Sequence, residues 1–125
     1  MTPNFIVTSA FLESIDACHP QRILFGELYP EGLALNRENL VRAAEEGLDI
    51  DWFAEGFVEP DKYYDRVDKD GLMEIRVKWG GELCNHHENW LEINKQYAPL
   101  FIDVAWETIK EELYLREIRE RISDI

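Results

Sequence analysis

All the cysteine and histidine of this chain lies in two short clusters. Cys18-His19 stands just before Pro20, and Cys84-Asn85-His86-His87 follows a Gly-Gly pair. Two thiolates and two imidazoles make a tetrahedral zinc site if their segments meet. Neither cluster has the Cys-x-x-Cys or His-x₃-His spacing that presents such ligands from one turn. The expectation is therefore no cofactor, with zinc on Cys18, His19, Cys84, His86 and His87 as the weaker alternative. A Cys18–Cys84 disulfide is disfavoured inside a cell. Cys84 could act as a nucleophile beside His86 or His87, but no residue pattern supplies a third group or an oxyanion hole. There is no Gly-rich phosphate loop, nucleotide fingerprint or serine elbow. No enzyme is predicted.

The carboxylates are the stronger signal. From Ala43 to Asp61 there are seven acids (Glu45, Glu46, Asp49, Asp51, Glu55, Glu59 and Asp61) and no Lys or Arg. The whole chain carries −13, from 26 acids against 13 bases. Residues 27–61 hold ten of those acids and two bases, a net of −8, against −5 for the rest. Phosphate recognition needs Lys or Arg, so DNA and RNA are excluded as direct partners, and an anionic membrane is opposed. A basic protein is the complementary partner. Those seven acids, with Trp52 as an aromatic anchor, form the predicted partner-binding set. Tyr63 and Tyr64 are further anchor candidates if exposed.

The elements that position this face start at Asn36, whose side chain can cap a helix carrying Leu40, Val41, Ala43 and Ala44. Gly47 stands where a left-handed residue ends that helix. Asp49 can cap a second helix with Ile50, Phe53 and Phe57 on one face. The spacing of Ala43, Gly47 and Phe53 resembles a helix-turn-helix, but its second helix would bring carboxylates to phosphate. The reading kept is a helical hairpin with an acidic face.

Upstream, Asn4–Val7 suits a strand or a lead-in. Ser9 can cap a helix running to about His19, which Pro20 ends. Arg22–Tyr29 fits a strand or a helical turn. Downstream, Pro60 breaks the second helix. Lys62–Val67 and Leu72–Trp79 flank Asp68-Lys69-Asp70-Gly71 and predict a β-hairpin, because Met73, Ile75, Val77 and Trp79 alternate with charged residues. A helix follows from about Glu88 to Tyr97. Pro99 separates it from a long helix over Leu100–Ser123, with Glu112/Arg116 and Glu117/Arg121 at i, i+4 spacing. The predicted fold class is α+β and mostly helical. It has four to five helices and one small antiparallel hairpin, with a third strand if the N-terminal segment joins. Residues 1–125 are expected to form a single domain.

Residues 17–58 carry a recognisable series: Ala17-Cys18, Phe25, Tyr29-Pro30-Glu31-Gly32, Asn39-Leu40 with Arg42-Ala43, and Gly47-Leu48-Asp49 with Trp52. It resembles a module of small uncharacterised proteins from bacteria and their phages. The resemblance implies a compact helical module from a prokaryote or mobile element, and carries no catalytic residue with it.

No apolar run approaches the roughly 20 residues that span a bilayer, and the N-terminus lacks a secretory signal's pattern. A cytoplasmic protein is expected. The functional expectation is a non-enzymatic acidic binding protein. It would be a phage- or mobile-element inhibitor that occupies the basic nucleic-acid-binding surface of a host defence protein. The alternatives are an immunity protein for a nuclease toxin and a small zinc-stabilised interaction protein.

Overall fold

A computed structural model describes residues 5–123. Eight α-helices follow one another among them: α1 (Ser9–Ser14), α2 (His19–Leu28), α3 (Arg37–Glu45), α4 (Ile50–Phe57), α5 (Pro60–Lys69), α6 (Met73–Asn85), α7 (Trp90–Tyr97) and α8 (Ile102–Ser123). Single 3₁₀ turns, His87–Asn89 and Ala98–Phe101, lead into α7 and α8. Two short strands, β1 (Ile6–Val7) and β2 (Leu33–Ala34), pair antiparallel, with Ile6 opposite Ala34 and Val7 opposite Leu33. Asn4 and the chain ends lie outside the described residues.

The mostly helical character stands, but the expected architecture of four to five helices with a hairpin does not. Residues 62–69 belong to α5 and 73–79 to α6, with a turn between them, not to two strands. The alternation from Met73 to Trp79 hides a longer helical stripe, Leu72, Ile75, Trp79 and Leu83. Trp79 is buried and the other three pack partly against the core, while Val77 is 70% exposed. The Asp68–Gly71 stretch closes a helix. Leu72 N donates to Val67 O, Gly71 N donates to Asp68 O, and Gly71 takes φ +74°. Glycine favours that left-handed C-terminal turn as much as it favours a hairpin.

The two prolines that follow helices α1 and α4 also open the next ones. Pro20 and Pro60 each stand in the first turn of a helix, α2 and α5. No amide there needs a partner within the helix, so proline starts it. The helix predicted from Ser9 to His19 breaks at Asp16, which adopts φ +61°. Thr8, not Ser9, caps α1, accepting from Phe11 N at 3.1 Å.

The core gathers around α4 and α8. Phe53, Ala54 and Phe57 of α4 are buried, as are Val104, Ala105, Ile109 and Leu113 of α8. Arg116 of α8 ties the two helices together. Its guanidinium carbon lies 4.0 Å from the Phe57 ring centroid, and its Nη2 donates to Phe57 O at 3.1 Å.

The α3–α4 turn is held from three sides. Asn36 caps α3, accepting from Asn39 N at 2.8 Å. Gly47 sits at φ +95°, and a Cβ there would lie 2.5 Å from Leu91 Cδ1 of α7. Glycine takes that conformation freely, whereas any other residue would be strained there and would displace the Leu91 methyl. Gly47 O accepts from Gln21 Nε2 of α2 and Asn94 Nδ2 of α7, at 3.2 and 3.1 Å. Asn94 Oδ1 in turn accepts from Trp79 Nε1 of α6 at 3.0 Å.

Candidate functional site

The acids predicted to share one exposed face divide into three groups. Asp51 is buried, at 5% exposure, and is part of the core. Tyr63 Oη donates to its Oδ1 at 2.6 Å, and Arg76 Nε donates to its Oδ2 at 2.9 Å. Arg76 Nη2 also meets Glu55 Oε1 at 3.0 Å, and its guanidinium carbon lies 5.8 Å from the Tyr63 ring centroid. Burial pushes the Asp51 carboxyl above the usual carboxylate range, while the Tyr63 hydroxyl and Arg76 hold it down. Burial, with Asp51 alongside, raises the Tyr63 phenol far above its ordinary value. The expectation that Asp51 and Glu55 are free for a partner is therefore corrected. A cation from α6, remote in sequence, binds both.

Glu45, Glu46, Glu59 and Asp61 form the second group and are exposed. They stand before and after α4, a helix of about 12 Å at 1.5 Å per residue. Tyr64 is exposed, whereas Tyr63 is fully buried and Trp52 is half-buried.

Asp49 is the third case. It caps α4, accepting from Trp52 N at 2.9 Å, while its own amide donates to Gln21 Oε1 at 2.8 Å. Asp49 lines a partly open cavity of about 230 Å³ set among the β1–β2 pair, α1, α2, α3 and α4. Leu12, Phe25, Leu40, Leu48, Trp52 and Phe53 give it largely apolar walls. Asp16 and Cys18, both exposed, lie at the mouth. Burial raises the Asp49 pKa to about 7, and the neighbouring Asp51 charge adds to that; the Trp52 amide and Arg76 oppose it. No ion pair reaches Asp49 among the described residues, and no Lys, Arg or His lines the cavity. The sequence shows Asp49 as a cap, but the cavity beside it depends on tertiary packing.

The two Cys/His clusters are not joined. Cys18 precedes α2, and Cys84 lies in the last turn of α6 with His86 and His87 just beyond; all of these and His19 are exposed, and both thiols are free. Among the described residues no three His, Cys, Asp or Glu side chains are grouped to hold a metal ion. Cys18 and His19 thus do not meet Cys84, His86 and His87 in the arrangement a zinc site requires.

No family model, curated protein or solved structure matches this chain. The functional reading rests on its own geometry. No described helix is long and apolar enough to cross a membrane.

Proposed function

We propose that this protein is a non-enzymatic binding protein whose exposed carboxylates dock on a basic, nucleic-acid-handling surface of another protein, as an inhibitor of that surface. The supporting observation is where its own cations go. Among the described residues, every Lys and Arg except Arg42, Lys69 and Lys78 has a carboxylate within 4.0 Å. Arg37 and Lys62 turn away from their acidic neighbours to Asp103 and Glu111 of α8, at 2.7 and 2.8 Å. Arg42 lies over the Tyr29 ring. Glu45, Glu46, Glu59, Asp61, Asp65 and Asp68 stay exposed with no ion pair among the described residues. Exposed like charges repel one another and weaken the fold slightly, but they attract and steer a cationic partner.

The test reverses Glu45, Glu46, Glu59 and Asp61 to Lys and leaves Asp49 and Asp51 alone. The native protein should retain, from host lysate, a basic nucleic-acid-binding protein that moderate salt releases, and should block that protein's binding to nucleic acid. The four-fold variant should melt near the native temperature and lose both properties. A folded variant that keeps the partner, or a partner whose release ignores salt, refutes the reading.

A further inference from the structure

We propose that the cavity between the β1–β2 pair and α1–α4 binds a small apolar primary amine, with its ammonium on Asp49 and its hydrocarbon against Phe25, Leu40 and Phe53. This site is separate from the docking acids. It needs none of them, and none of them lines it.

Size comes first. A dry cavity of about 150 Å³ holds benzene, so one of 230 Å³ takes an apolar body of roughly nine non-hydrogen atoms. Octylamine and 2-phenylethylamine are of that size.

The polar groups set the head. Gln21 is committed through both ends of its amide, to Asp49 N and to Gly47 O. Asn39 Nδ2 donates to Ala34 O at 2.8 Å, and among the described residues nothing donates to Asn39 Oδ1. The carboxylate of Asp49 receives the Trp52 amide and no cation. Asp16 adds a second carboxylate at the mouth. The unfilled positions are therefore acceptors. An ammonium brings three donors and no acceptor, which fits them. A carboxylate ligand would face Asp49 and Asp16 in a chain of net charge −13. A neutral alcohol supplies one donor and no charge.

A role for Asp49 as a cap alone does not explain the acid. Asparagine caps a helix as well as aspartate does and carries no charge to desolvate. A titratable group kept unpaired at the edge of an apolar cavity is the arrangement that functional sites favour.

The experiment is a titration of the full chain at pH 8 with octylamine, 2-phenylethylamine, octanoate and 1-octanol, followed by backbone amide NMR. In parallel, the rate of Cys18 alkylation is measured in a Cys84→Ser background. The amines should shift the amides of Asp49, Trp52 and Phe53 and slow alkylation of Cys18 at the mouth. Asp49→Asn should stay folded, lose at least ten-fold in amine affinity and leave octanol affinity unchanged. Asp16→Asn should lose about two- to three-fold. Octanoate or octanol binding as tightly as the amines, unchanged amine affinity in Asp49→Asn, or no probe shifting these amides would each overturn the proposal. The docking test above can succeed or fail independently, because it changes no residue of this cavity.

Discussion

Replacing Asp49 with Asn should stabilise this protein at alkaline pH. In the unfolded chain the carboxyl ionises near 3.8; in the fold it holds its proton to about 7. Between those values the folded state binds more protons. Asp49's contribution to stability is therefore complete below pH 3.8, is lost as pH rises through about 7, and stays lost above it. At about 1.4 kcal/mol per pH unit the interval amounts to about 4 kcal/mol, a ceiling for a fully enclosed group. The Asp49 side chain keeps some contact with solvent, which brings the expectation down to about 2 kcal/mol. Asn preserves the cap on Trp52 N, so little is lost in exchange. At pH 8 the variant should melt roughly 8 °C above the native protein, taking about 4 °C per kcal/mol for a chain of this size. The two melting temperatures should converge as pH falls toward 5. Circular dichroism melts from pH 5 to 9 would show this, with the Asp51 contribution common to both proteins. A variant that melts at or below the native protein at pH 8, or that retains the native slope, would refute the reasoning.

Three further outcomes follow from contacts within the fold. Arg76→Ala removes the cation that Asp51 and Glu55 share and leaves Asp51 buried with only the Tyr63 hydroxyl; urea unfolding should show a loss of about 3–5 kcal/mol, whereas Glu55→Gln should cost about 1 kcal/mol or less. Gly47→Ala forces a side chain into a left-handed conformation against Leu91; a loss of about 2–4 kcal/mol is expected in the same assay, and a loss below about 1 kcal/mol would mean that the α3–α4 turn relaxes freely.

The helix pair was legible in the sequence because its signals are local. Asn36, Gly47 and Asp49 each act within four residues of themselves, and the side-chain and left-handed cap chemistry at each occurs as read. The α5–α6 region was not legible. Four alternating apolar residues before a Gly-Gly pair satisfy both a strand and part of a helical stripe, and the stripe's partners, such as Asn94 of α7 for Trp79, are remote in sequence. The acidic face failed for a similar reason. Whether Asp51 faces solvent depends on Tyr63, twelve residues on, and Arg76, twenty-five residues on. No periodicity links an acid to a cation at that distance. The cavity was still less accessible, since it is the space left where the sheet and four helices meet.

Asp49 and Asp51 stand two residues apart at the start of one helix, yet the fold treats them in opposite ways. Arg76 reaches Asp51 and Glu55 and stops there. Asp49 is left with amide donors beside an apolar space, at a cap position where Asn would serve with less strain on stability. Natural sequences lie above a stability threshold rather than at an optimum, so a costly acid can persist without a purpose. Two assays on one variant separate persistence from purpose. If Asp49→Asn gains stability at pH 8 and still binds amines as before, the acid is only tolerated. If it gains stability and loses the amine, the carboxylate is held at a cost for the cation it receives. The surface acids bear on neither result, since Glu45, Glu46, Glu59 and Asp61 line no part of that cavity. The four-fold reversal should therefore leave amine binding intact, and Asp49→Asn should leave docking intact. That crossed pattern would establish two binding sites on the chain, and loss of both activities in either variant would reduce them to one.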